Sequence, residues 1–305
     1  MDFLRLLESI RNPFLDNVML LITQLGEETA FLLLAIILFW CVDKKRGYFV
    51  LFVGFAGILA NQFLKLLFRI PRPWVLDPGF HPVEGAKAAA TGYSFPSGHT
   101  QSAVGTLGAI AVTEKKRWVR ILAIVVAVLV AFSRMYLGVH TPQDVLTSVA
   151  IATALVFFLR PMVMHQTEHR TWMLLLVVSM LAAVYLCFVH LYHFPADVDQ
   201  ANLEHGIKSA YTLLGCLAAF IVAYPLEKKW IRFPVEAVWW AQILKVVLGL
   251  LIVLAIKEGM KIPLNFVFGE MLGRAVRYFL VVMVAGAVWP LTFSWFKRLG
   301  QPKKV

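Results

Sequence analysis

Apolar blocks long enough to cross a bilayer recur from one end of this chain to the other, and they leave it little choice of fold. Hydrocarbon offers no water to satisfy a backbone, so a spanning segment must be a helix of about 20 apolar residues. Blocks of that kind cover roughly 18–42, 48–68, 98–114, 119–135, 144–159, 171–192, 209–225, 238–256 and 276–296. A soluble domain is about a quarter charged, whereas this chain is 15% charged, 60% hydrophobic and has a mean hydropathy of +0.74. The expected fold class is all-α, a polytopic membrane helical bundle. Residues 1–16 alternate Phe3, Leu4, Leu7 and Ile10 with Asp2, Arg5, Glu8 and Arg11, which predicts a short interfacial helix ahead of the first span. The N-terminus lacks a basic stretch leading into an apolar run, so no cleaved signal peptide is expected and the first span serves as an internal signal.

The net charge of +11 does not point to nucleic acid. Sixteen of the 29 Lys and Arg fall at every second joint between apolar blocks and in the tail: Lys44-Lys45-Arg46, Lys115-Lys116-Arg117 with Arg120, Arg160 with Arg170, Lys228-Lys229 with Arg232, and Lys297-Arg298 with Lys303-Lys304. Lys257, Lys261, Arg274 and Arg277 at the intervening side weaken the pattern without reversing it. That alternation is the positive-inside bias of a multi-pass protein. With those joints cytoplasmic, the joints at 69–97 and 136–143 fall on the opposite side. Cys41, Cys187 and Cys216 are dispersed and read as packing residues without metal or disulfide spacing.

Three short stretches at span ends carry chemistry: Lys65 with Arg72-Pro73, then Pro96-Ser97-Gly98-His99, then Ser133-Arg134 followed by His140 and Asp144. The crossing count places all three on the non-cytoplasmic side. Lys65, Arg72 and Arg134 supply charge for a phosphate, the arginines with a fork that matches its oxygens. Lys65 and Arg72 are seven apart, which on one helix gives them a common face, with Pro73 ending that helix. Ser97-Gly98 precedes an apolar run, so a helix start is expected there, with amides that attract anions and a backbone that a ligand can approach. His99 then lies in the first turn, suited to protonate a leaving oxygen. His140 and Asp144, at i and i+4, meet on a helix, so that Asp144 can hold one ring nitrogen while the other attacks phosphorus. Taken alone, Pro-Ser-Gly-His reads as an ordinary helix-start turn, and His140 with Asp144 reads equally as a helix-capping pair. The order and common side of the three stretches give them their weight.

On these residues the chain resembles the type 2 phosphatidic acid phosphatase superfamily, which shares its phosphate site with vanadium haloperoxidases. The pattern K-x6-RP, PSGH and SR-x5-H-x3-D is matched at every defining position. The resemblance implies a six-span core, with about three additional C-terminal spans here. Residues 1–196 would form the catalytic core and 197–305 a transmembrane extension of unassigned role. It implies His140 as nucleophile through a phosphohistidine, Asp144 as its orienter, and His99 as the acid that later activates water. Lys65, Arg72, Ser97, the Gly98 amide and Arg134 would bind the phosphoryl group, with no metal or other cofactor. The expected partners are a lipid phosphate or isoprenyl diphosphate substrate and the bilayer. The expected location is the cell membrane, multi-pass, with the site on the extracytoplasmic face.

Two rivals use the same scaffold: a lipid phosphotransferase working through the same phosphohistidine, and a non-catalytic lipid-binding or transport protein. A haloperoxidase would use the same pocket, but so many spans argue against it. A second stretch, His193-Phe-Pro-Ala-Asp197, echoes His140-Thr-Pro-Gln-Asp144. Cys187 stands where the first copy has Arg134, so the echo reads as a helix start without a phosphate clamp. His81, His165, His169, His190 and His205 have no comparable companions and are expected in loops or at the interface.

Overall fold

The computed structural model describes residues 1–165 and 167–299, and all regular structure among them is helical. The chain forms two compact units built from interleaved segments. Met1–Ala35, Phe49–Pro161 and His193–Gly206 make the first; Ile36–Tyr48, Met162–Tyr192 and the chain from Ile207 onward make the second.

The N-terminal segment of the first unit is two helices rather than one. Helix α1 (Asp2–Ser9) buries Leu4 and Leu7 and leaves Phe3, Leu6 and Ile10 exposed. Helix α2 (Pro13–Gln24) begins afresh because Pro13, which lacks an amide hydrogen, sits at its first position behind Asn12, whose side chain accepts from the Leu15 amide at 3.0 Å. The interfacial helix expected over 1–16 is therefore shorter than predicted. Helix α3 (Glu28–Ile37) follows and continues as a wider turn over Leu38–Val42. The α2 and α3 segments together are long and apolar enough for one candidate span, bent by 49° at the break between them.

Seven helices among the described residues are long and apolar enough to cross a membrane, and the bent pair makes an eighth candidate. The seven are α4 (Lys44–Phe68), α8 (Arg117–Tyr136), α9 (Pro142–Met164), α10 (Glu168–Leu191), α11 (Gln200–Leu226), α12 (Trp239–Gly259) and α13 (Lys261–Met283). The remaining predicted span is α7 (Gly98–Thr113), which has 16 residues. Such a helix covers about 24 Å and falls short of a full span. Its buried residues include Ala103, Gly105, Ala109 and Ala111, small side chains that let neighbouring helices approach closely, as Val53 of α4 does at Gly105; α7 also packs against α8. The joint between them is tight, with the Glu114 carboxylate accepting from the amides of Lys115 and Lys116 at 2.7 and 3.0 Å. Ile121, Leu122, Val125, Val128 and Leu129 on α8, and Met173, Val177, Met180 and Val184 on α10, are exposed. Apolar surface that continuous suits hydrocarbon, not water.

Helix α4 ends earlier than Pro73 would require. Arg69 adopts φ 49°, a left-handed conformation that stops the helix after Phe68, and its guanidinium returns to the Leu66 carbonyl at 2.9 Å. Pro73 instead opens the short helix α5 (Pro73–Leu76), with Arg72 at its N-cap. Lys65 and Arg72 therefore do not share a helix face. A second short helix, α6 (Glu84–Ala89), lies in the same connection.

The N-terminal segment, the 69–97 connection and the end of α8 touch in the structure. Arg5 pairs with Asp77 at 2.5 Å, the His81 amide donates to Glu8 at 3.1 Å, and Arg11 Nε donates to the Tyr136 carbonyl at 2.9 Å. The N-terminal helices thus tie the 69–97 connection to the end of α8.

In the second unit Glu227 is buried, held by Lys44 and by the Tyr48 hydroxyl at 3.0 Å. Lys245 is also buried and donates to the carbonyls of Trp40 and Val235 at 2.8 and 3.2 Å. The closest backbone approach is at Gly215 on α11, where a Cβ would lie 2.1 Å from the Ala275 carbonyl oxygen on α13. Gly215→Ala is expected to destabilise the protein by about 1–3 kcal/mol, because backbone rather than a side chain must move. A lower thermal midpoint in detergent would report it.

Candidate active site

A cavity of about 330 Å³ opens in the first unit, within the usual range for small-molecule sites. Lys65, Arg72, Gly98, His99, Arg134 and His140 all line it. Residues far apart in sequence are brought together by the end of α4, the N-cap of α5, the first turn of α7, the last turn of α8 and the joint before α9. Ser97 and Asp144 lie behind the wall and do not line the cavity.

Asp144 organises that wall. Its Oδ2 accepts from the Ser94 hydroxyl at 2.6 Å and the Thr141 amide at 2.8 Å, while the Thr141 hydroxyl accepts from the Asp144 amide at 3.3 Å. This reciprocal pair is a capping box at the start of α9. His140 precedes that helix, so it meets Asp144 across the cap and not along a helical face. The His140 Nδ1 to Asp144 Oδ2 distance is 3.5 Å, beyond good hydrogen-bond geometry, and Nδ1 has no other partner. Catalytic hydrogen bonds are often this long before substrate binds. The Asp144 carbonyl accepts from the Ser97 amide at 3.2 Å, and Ser148 bridges the carbonyls of Ser97 and Asp144 at 2.9 Å each. The starts of α7 and α9 are thereby locked together. Ser97 Oγ caps α7, accepting from the Thr100 amide at 3.4 Å and its hydroxyl at 3.0 Å.

The cations are buried and held mainly by neutral groups. Lys65 donates to the Tyr93 carbonyl. Arg72 donates to the carbonyls of Gly92, Thr91 and Val139 at 3.0, 2.7 and 2.9 Å. Arg134 donates to the Thr23 hydroxyl at 2.6 Å, and its Nε has no partner. Three buried cations held this way, with Asp144 the buried carboxylate beside them, make a strong attraction for an anion.

Arg72 also fixes the tautomer of His140. Its Nη1 lies 2.9 Å from His140 Nε2. Arginine only donates, so Nε2 must accept. The neutral ring therefore carries its proton on Nδ1, the atom facing Asp144, and keeps the Nε2 lone pair toward Arg72. Burial, then the charges of Arg72, Arg134 and Lys65, hold the His140 imidazole well below the ordinary histidine range, which keeps it neutral. His99, half-buried, lines the same cavity.

Residues 45–168 match the PAP2 superfamily, and residues 211–301 match the PAP2 superfamily phosphatase, transmembrane extension. Undecaprenyl-diphosphatase BcrC of Bacillus subtilis is 35% identical over 49% of this chain and 75% of its own length. The chain belongs to the PAP2 superfamily. It is a membrane lipid phosphatase of the PAP2 type. Phosphatidylglycerophosphatase B of the same organism is 33% identical over 50% of this chain and 76% of its own. A probable sphingosine-1-phosphate phosphatase of Dictyostelium discoideum is 30% identical over 53% of this chain and 44% of its own.

Several members of this PAP2 cavity lie outside the three motifs. Asn61, Gln62 and Gln101 line it, and so does His205 from the first turns of α11, which had been expected in a loop or at the interface. Asn61 and Gln62 interrupt an apolar block, a signal that by itself marks intramembrane function. His205 carried no such signal. Ser94, Thr23 and Ser148 act on Asp144, Arg134 and the wall only through tertiary contact. The echo at His193 is exposed and ends in a loop, since α11 starts at Gln200, so it is not a helix start. Among the described residues no three His, Cys, Asp or Glu side chains gather as a metal would require.

Proposed function

We propose that this PAP2 protein hydrolyses lipid phosphates through a phosphohistidine on His140, without a metal, on the extracytoplasmic face of the cell membrane. The observation that carries the reading is the Arg72 contact to His140 Nε2 inside a cage of buried cations. A phosphate entering the cage draws the guanidinium onto its oxygens and uncovers the lone pair. The negative charge of the phosphate, set among the cations, lets His99 take up a proton from solvent; Nε2 then attacks phosphorus as the bond to the lipid oxygen breaks, and His99 gives that oxygen the proton. Asp144 stabilises the positive ring through Nδ1–H. Water, losing its proton to His99, next breaks the phosphorus–nitrogen bond and releases inorganic phosphate. Lys65, Arg72, Arg134 and the amides at the start of α7 hold the phosphoryl oxygens throughout. On this reading 1–196 carries the chemistry, and the extension from 197 adds His205 to the rim. The alternation of cationic joints supports the sidedness.

Purified protein is expected to release phosphate from lipid phosphates at an undiminished rate in excess chelator. Loss of activity restored by a divalent ion would overturn the metal-free chemistry.

A further inference from the structure

The names of the relatives cover an isoprenyl diphosphate, a glycerophosphate and a sphingoid phosphate, so the substrate class has to come from the cavity itself. The cavity is longer than a phosphate. Its lining on α4 is a single stripe, Lys65, then Asn61 and Gln62, then Gly57 and Ile58, then Gly54. Eleven residues of helix carry it about 16 Å from the cage. The stripe changes character in order: a cation, two amides, then apolar surface closed by the Phe31 ring lying over Gly54.

Gln101 faces the middle of this stripe from α7. It is 4% exposed, and neither its oxygen nor its nitrogen has a hydrogen-bond partner. Its Nε2 lies 2.9 Å from where a Cβ on Gly57 would be, so the amide is accommodated by the missing side chain. A buried amide with both ends unpaired is unfavourable until something pairs it. The group that pairs it lies between the phosphate and the hydrocarbon of the ligand. Asn61 reaches the Pro96 carbonyl at 3.3 Å from the same stretch, and Gln62 is buried beside it.

We propose that Gln101, with Asn61 and Gln62, forms an uncharged second subsite for the polar linker of a lipid monophosphate. The linker chemistry is hydroxyl, ester or amide groups close to the phosphate-bearing carbon, as in glycerol-based or sphingoid lipids. An isoprenyl diphosphate offers no such groups. Its second phosphate would enter a region whose buried polar groups are neutral amides and whose lining includes Glu27 and Glu28, a poor place for added negative charge. This inference rests on the lipid phosphatase reading of the cavity.

The test compares kcat/KM of purified protein in mixed micelles on a diacylglycerol phosphate, a sphingoid phosphate, an isoprenyl monophosphate and an isoprenyl diphosphate. Wild type is expected to favour the linker-bearing monophosphates at least tenfold over both isoprenyl substrates. The glycerol and sphingoid arms show which linker fits better. Gln101→Leu is expected to shrink that preference at least fivefold, chiefly by raising KM for the linker-bearing lipids. Gly57→Ala, which drives a methyl group onto the amide, should move the ratio the same way, and it carries the test if Gln101→Leu does not purify as monodisperse protein. An equal loss on all four lipids, or a wild-type preference for the diphosphate, overturns the subsite while leaving the phosphatase intact. No turnover of any lipid by wild type overturns both.

Discussion

His140→Ala is expected to lower kcat on a lipid phosphate by a factor on the order of 10⁴ to 10⁶, the scale seen when an enzymatic nucleophile is removed. The loss should lie in kcat, because the cations that hold the phosphate remain. A rapid quench of wild type with labelled substrate should trap a covalent phosphate that is labile in acid and stable in base, as a phosphoramidate is, and the variant should trap none. Binding of a non-hydrolysable phosphonate should survive in the variant. It should even tighten, since Arg72 loses a competing contact to Nε2 and is freer to turn toward the anion. A variant that still formed the acid-labile adduct would remove His140 from the role of nucleophile. A wild type that transferred label to an added lipid acceptor faster than to water would make the protein a phosphotransferase working through the same intermediate.

The sequence was most informative where a rule of physics acts locally. Apolar blocks had to become helices, and each lies on a helical segment, with α7 shorter than a full span and α2 and α3 divided at Gly26-Glu27. The contacts of α1 and Arg11 with the 69–97 connection and Tyr136 join segments that the sequence did not link. Of the eight motif residues, Lys65, Arg72, Gly98, His99, Arg134 and His140 line one cavity. What could not be read depended on tertiary context. Seven-residue spacing suggested that Lys65 and Arg72 share a helix, but the left-handed turn at Arg69 intervenes, and no rule forbids an arginine there. The i, i+4 spacing suggested a helical pair for His140 and Asp144, whereas Pro142 starts α9 two residues too late for His140 to belong to it. Ser97 was expected at the phosphate, and in the structure its oxygen caps α7 from behind the cavity wall, with its O–H left to donate. Gln101 looked like one polar residue in an apolar run, and only the fold reveals that it has no partner.

Asp144→Asn separates the two jobs this residue holds, and it is expected to reduce kcat by about 10² to 10⁴ while leaving most of the fold's stability. Triads behave this way when the orienting carboxylate becomes an amide and the imidazole is left in the wrong tautomer. Here the argument starts from the hydrogen bonds. The amide oxygen of asparagine can still accept from the Thr141 backbone, and the Thr141 hydroxyl still accepts from the residue-144 amide, so the cap on α9 is largely kept. The Ser94 hydroxyl donates to that same oxygen at 2.6 Å, so an asparagine that keeps its oxygen there keeps this bond as well. What the variant cannot supply is negative charge facing Nδ1 while Nε2 forms its bond to phosphorus. The ring becomes cationic at that moment, surrounded by Arg72, Arg134 and Lys65, and the charge of Asp144 is the one that offsets it. Asp144→Ala keeps the bond from the residue-144 amide to the Thr141 hydroxyl but loses the reciprocal half of the capping box, about 1 kcal/mol, and leaves Ser94 without its partner. Its thermal midpoint should therefore fall below that of Asp144→Asn, with a similar loss of kcat. Full activity in Asp144→Asn, with only the midpoint of Asp144→Ala lowered, would reduce Asp144 to a helix cap.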